Sequence, residues 1–360
     1  MIPTRLTRYL KVGWKLRARQ ISTVPTVRGA PIGCFDRSSR PKKFTSCRLK
    51  KARRTGGHRL ETQEKIRNRC ELLRSLARLA EPPGSDCKCL AEILELGPPP
   101  KSSEHTELFV HQLYPYASIY LGTEGQLGGE ARDRIAGLWR ILGQSSPTEP
   151  DHLTTLLALY AHLIELETNE PNASKRGGLN QVRAVLLWEH LLSWLPAYLH
   201  KLSQLAPRPY HRWSVLLCET LSEEARLLPP PPVLPSHFHE VPPLSDPREV
   251  DLKNFLSSLL TPVRSGLILT RADLSRAAQD LQLGLRLGER HFILRTLIEQ
   301  NAADMLAWLT NEAMTWTTTH KNSWCGGSSN RFWAERTQSA VNLLDELCKE
   351  ASKLSSPLHS

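Results

Sequence analysis

From residue 61 onward apolar side chains return every third or fourth position, and no run of four or more alternates with polar ones. That spacing puts the apolar atoms on one face of a helix and leaves no strand with a buried side. The pattern predicts an all-α protein, with helices over 61–80, 85–96, 104–113, 129–142, 149–168, 179–205, 210–228, 250–260, 271–281, 289–300, 302–318 and 330–353. Helix-breaking residues fall between them at Pro82-Pro83-Gly84, Gly97 with Pro98, Pro99 and Pro100, Gly177-Gly178, and Gly326-Gly327. The stretch 229–248 is rich in proline and reads as a stiff linker. It divides a larger helical domain, 61–228, from a smaller C-terminal helical extension, 249–353.

The charge is unevenly placed. Residues 1–60 hold 17 of the 47 Lys and Arg residues and one acid, Asp36, a net +16 against +11 for the whole chain. The remaining residues therefore carry −5, so the basic isoelectric point describes the head and not the body. The head has no sustained apolar periodicity and is expected to be disordered. Arg53-Arg54 is followed by Thr-Gly-Gly-His rather than an apolar stretch, which argues against an export signal. A start codon placed too far upstream is the favoured source of these residues, ahead of a transit peptide or a nucleic-acid arm. No window reaches the ~18 apolar residues of a membrane span. Eight scattered cysteines without a repeated spacing fit a reducing cytoplasm.

Around Asp151 the sequence Ser145-Ser-Pro-Thr-Glu-Pro-Asp-His-Leu153 precedes a leucine stripe, Leu153, Leu156, Leu157, Tyr160 and Ile164. Thr148 is expected to cap a helix there, with Pro150 in its first turn and Glu149 and Asp151 at its positive end. Adjacent helical residues point about 100° apart, so Asp151 and His152 are not expected to pair as a catalytic acid and base. No glycine-flanked nucleophile and no phosphate loop of the Walker type occurs, and an enzyme is not expected. Cys87 and Cys89 lack a second ligand pair, and His237-x-His239-Glu240 lacks a fourth ligand, so no metal site is expected.

Three pieces in order resemble the TorD/DmsD family of cytoplasmic chaperones that mature molybdenum-containing redox enzymes. They are Leu113-Tyr-Pro-Tyr-Ala-Ser-Ile-Tyr-Leu-Gly122 with Gly128-Gly-Glu-Ala131 behind it, Glu149-Pro-Asp-His-Leu153, and Trp188-Glu-His-Leu-Leu-Ser-Trp-Leu-Pro-Ala-Tyr198. The resemblance implies a TorD-like helical bundle that binds the twin-arginine leader of a molybdoenzyme catalytic subunit. It implies no cofactor of the chain's own, the client carrying the molybdenum cofactor. It places leader binding on Glu149, Pro150, Asp151 and His152. Here one residue fewer separates proline from aspartate than in many members, which turns the carboxylate by about 100° on a helix.

Such a leader calls for carboxylates beside an apolar groove, and the acidic body has the right sign. Tyr114, Tyr116, Tyr120, Trp139, His190 and Trp194 are candidates for its wall, core packing being the alternative for each. His190 and Trp194, four apart, are expected to share a helix face. The rival function is a helix-turn-helix regulator over 264–300, using Arg271, Arg276, Arg286, Arg290 and Arg295 on DNA. Asp273, Asp280 and Glu289 interleave with those arginines and weaken that reading, which makes nucleic acid an unfavoured partner. Trp308, Trp316, Trp324 and Trp333 are candidates for an interaction surface, and the long linker would allow either a monomer or a swapped dimer.

Overall fold

The computed structural model describes residues 53–355 apart from Gly326, and the side chains of 63–353. The expected disordered head lies outside the described residues up to position 52; from Arg53 the chain is helical, earlier than the apolar spacing indicates. Helix α1 runs Arg53–Leu79, α2 Cys87–Ile93 and α3 Ser102–His105, the last continued by a π-helical turn over Thr106–Gln112. Then come α4 (Ala117–Leu121), α5 (Gly129–Ile141), α6 (Leu153–Asn169) and α7 (Ala173–Val185), the last continued by a π turn over Leu186–Leu191. The rest is α8 (Leu195–Leu205), α9 (Arg208–Leu227), α10 (Leu252–Leu259), α11 (Pro262–Ser265), α12 (Arg271–Asp280), α13 (Arg290–Gln300), α14 (Ala302–Lys321) and α15 (Gly327–Ser355). The chain is all-α, and among the described residues the one extended pairing is an isolated antiparallel bridge between Tyr116 and His152.

Three local expectations change. Gly177-Gly178 sits inside α7, where Asn172 starts the helix by accepting the Ser174 and Lys175 amides; the cap offsets part of the glycine cost of roughly 1 kcal/mol each. The single helix expected over 179–205 breaks at 192–194, because Pro196 lacks the amide a helix interior needs and instead occupies the first turn of α8. The helix expected from Glu149 begins at Leu153, and its cap is His152 rather than Thr148.

The most extensive pairings are α14 with α15 and α1 with α6. At the centre Glu224, fully buried on α9, accepts the Tyr160 hydroxyl at 2.8 Å and lies 3.0 Å from Arg69 Nε and 3.3 Å from Arg183 Nη1. A carboxylate so deep is tolerable only with this many partners, and these four residues tie α1, α6, α7 and α9 together.

Residues 229–248 are fastened along their length. His237 and Phe238 are buried, the Phe238 ring stacks 4.1 Å from Phe332, and Arg336 donates to the Val241 carbonyl at 2.9 Å. Buried side chains before and after this segment form one continuous core. A buried ion pair crosses the same boundary: Lys201 Nζ on α8 lies 2.8 Å from Asp273 Oδ1 on α12, with the ammonium over the Trp316 ring. Burial pushes the Asp273 carboxyl up, but the Lys201 charge and the hydrogen bonds from Lys201 and Thr270 outweigh it and hold the pKa below its ordinary value.

Candidate functional site

The bridge organises the region around the motif. Ala117 donates its amide to the Asp151 carbonyl at 3.0 Å, and Leu153 donates to the Pro115 carbonyl at 2.8 Å. Proline at 115 and at 150 keeps both segments out of helix and leaves them free to pair. The Asp151 carboxylate, only 2% exposed, accepts the Ser118 amide at 3.2 Å. Ser118 Oγ in turn accepts the Gly128 amide at 3.2 Å. Asp151 thus acts through Ser118 on the loop 122–128.

His152 is half-buried, and its Nδ1 accepts the Thr154 amide at 3.2 Å. Burial lowers its pKa against the raising influence of Glu149 and Asp151. The Tyr116 ring meets it edge-on at 4.7 Å. Burial, and behind it the hydrogen bond to Glu149, pushes the Tyr116 hydroxyl up to about 12. Glu149 is exposed, Tyr114 is 38% exposed, and Pro150 is buried.

The remaining candidates are core. Tyr120 stacks on Trp194 at 5.1 Å and donates its hydroxyl to the Tyr114 carbonyl. Trp194 is fully buried and, instead of sharing a helix face with His190, lies at the end of the break and donates its indole N–H to the His190 carbonyl at 2.9 Å. Trp139 is buried, with no partner for its indole nitrogen among the described residues. His190 Nδ1 and His237 Nε2 share a hydrogen bond of 2.9 Å in the interior. Burial first, then Arg134, lowers His190 to about 4; burial, His190 and Arg134 lower His237 to about 3. Of the candidates, then, Tyr114, Tyr116, Glu149 and His152 reach the surface.

An open cleft lies next to this group on the far side of Ser118. Its volume is about 160 Å³, and its walls are the loop from Leu121 to Gly128, the first two turns of α5 with Glu130, Ala131 and Arg134, and the segment carrying His237, His239 and Val241. Room of that size admits several waters or one long side chain. Two carboxylates, Glu124 and Glu130, and one guanidinium, Arg134, face it beside Leu121, Leu127, Ala131 and Val241. Gly125, Gly128 and Gly129 have positive φ, which lets the loop turn tightly enough to open the cleft. Sequence reasoning missed Glu124, Arg134 and His239 as lining residues, although the glycine spacing from 122 to 129 marks the turn.

Residues 76–199 match the nitrate reductase delta subunit family. The matched segment runs from the last turn of α1 into α8 and contains the bridge, the Asp151–Ser118–Gly128 chain and most of the cleft wall. The delta-subunit family is one of chaperones for molybdoenzyme maturation, working with molybdoenzyme subunits, and is not a family of catalytic enzymes. The match is consistent with the TorD/DmsD resemblance and covers about a third of the chain. His237 and the helices from α10 onward lie outside the delta-subunit match. A comparison with curated proteins gave no match.

Beyond the delta-subunit segment, three of the arginines proposed for DNA contact are engaged within the chain. Arg276 pairs with Asp273 and Glu312 and lies over Trp308, Arg295 pairs with Glu299, and Arg290 donates to the Leu269 carbonyl. Trp308, Trp316 and Trp333 are buried, leaving Trp324, at 37% exposure, as the surface member of that set. No group of three or more metal-ligating side chains occurs among the described residues, and no helix there is long and apolar enough to cross a membrane.

Proposed function

We propose that this protein is a cytoplasmic chaperone that binds the twin-arginine leader of a molybdenum-cofactor oxidoreductase catalytic subunit. By holding the leader it delays export while the client receives its cofactor. The observation that carries this reading is the position of the cleft: it opens inside the segment that matches a molybdoenzyme-maturation family and is braced by that segment's aspartate. Its chemistry suits the ligand. A guanidinium donates two parallel hydrogen bonds to a carboxylate, and Glu124, Glu130 and Glu149 are all exposed around the motif. Tyr114, Tyr116 and Leu127 supply apolar surface for the hydrophobic part of a leader.

Titrating the purified protein with a fluorescent twin-arginine leader peptide tests it, with a twin-lysine version and a DNA duplex as controls. Saturable binding of the arginine peptide, weakened by lysine replacement, is expected. Binding to the duplex alone, with affinity falling steeply as salt rises, would replace this reading by the regulator.

A further inference from the structure

On the cleft wall Arg134 already engages one of the two carboxylates. Its Nε donates to Glu130 Oε1 at 3.1 Å, a second nitrogen reaches the same oxygen, and Nη1 donates to the Ser236 carbonyl. Glu130 is well exposed, its side chain at 76%. Glu124, also exposed on the cleft wall, has its charge felt by Arg264, but that guanidinium donates to the Pro243 carbonyl at 3.2 Å and to Ser245 Oγ at 2.7 Å. The cleft therefore sets two carboxylates against one internal guanidinium.

Resting on the leader-binding reading, we propose that Arg134 is an internal stand-in for the client's arginine, and that one leader guanidinium enters the cleft by taking Glu130 from Arg134 and adding Glu124. Size restricts entry to one side chain, since adjacent residues of an extended peptide point to opposite sides and the second arginine stays outside. The exchange is easy because a solvent-exposed i,i+4 pair contributes little to stability. Arg134 keeps its hold on Ser236 while it releases Glu130, so the wall carrying His237 and His239 stays in place.

The exchange predicts effects of opposite sign from neighbouring charges. Arg134→Gln removes the competitor and is expected to tighten a twin-arginine peptide by about threefold, the scale of an exposed ion pair. Glu130→Gln and Glu124→Gln each remove an acceptor and are expected to weaken it by roughly tenfold, the scale of a hydrogen bond to a charged group. Fluorescence anisotropy on the full chain reads all four proteins, with circular dichroism confirming that each is folded. If the wild type binds but Arg134→Gln binds equally or less tightly, or Glu130→Gln is without effect, the exchange is wrong and the leader reading stands. If the wild type binds no leader peptide, the leader reading falls and the exchange falls with it.

Discussion

The carboxylate of Asp151 accepts the Ser118 amide at 3.2 Å and through it braces a cleft that it does not itself face. Removing that acceptor leaves a buried amide without a partner. Asp151→Ala is expected to destabilise the fold by about 1–3 kcal/mol, and Asp151→Asn, which keeps an oxygen at the same place, by less. Urea unfolding checks the stability. Hydrogen exchange at Ser118 and Gly128 checks the brace, and both amides are expected to lose protection in the alanine variant.

The His190–His237 pair makes stability depend on pH. Both folded pKa values, about 4 and about 3, lie below the ordinary 6.5, so the unfolded chain binds more protons between those values. The pair's contribution is complete above pH 6.5 and is lost as pH falls toward 4, at up to about 1.4 kcal/mol per pH unit for each histidine. Thermal melts between pH 7 and pH 5, above the range of ordinary carboxylates, are expected to show a falling midpoint, with a shallower fall in His237→Asn. Equal slopes in the two proteins would remove the pair as the cause.

Gly266 closes α11 with φ +79°, and a Cβ there would stand 2.7 Å from the Thr337 backbone nitrogen. Both the left-handed backbone and the clash with α15 oppose any side chain. Gly266→Ala is expected to cost more than the ~1–2 kcal/mol of the backbone conformation alone, read as a lower urea midpoint. A loss confined to that range would mean that α15 moves aside.

Lys201 and Asp273 predict a non-additive pair of substitutions. Either Lys201→Ala or Asp273→Ala alone leaves a buried charge and is expected to cost about 3–5 kcal/mol. The double variant Lys201→Ala with Asp273→Ala is expected to cost less than the sum, since neither charge remains. Additive losses in urea unfolding would show that the two side chains do not depend on each other.

Helical class was legible because the three-and-four spacing of residues such as Leu153, Leu156, Leu157 and Tyr160 needs no knowledge of their neighbours. Exposure was less legible. Tyr120, Trp139 and Trp194 have the same amphipathic chemistry as Tyr114, and only tertiary packing sends three of them inward. Asp151 was readable as important, but its bond to Ser118 was not, because that partner is 33 positions away. The pairing of the exposed Arg276 depends on Glu312 and Trp308, which no local window contains.

The ammonium of Lys201 has its counter-charge 72 positions downstream. Asp273 and the Trp316 ring that cover this ammonium both come from the C-terminal helices. Lifting those helices away would hand the cation back to water, so Lys201 costs little where the extension is absent and fastens the extension where it is present.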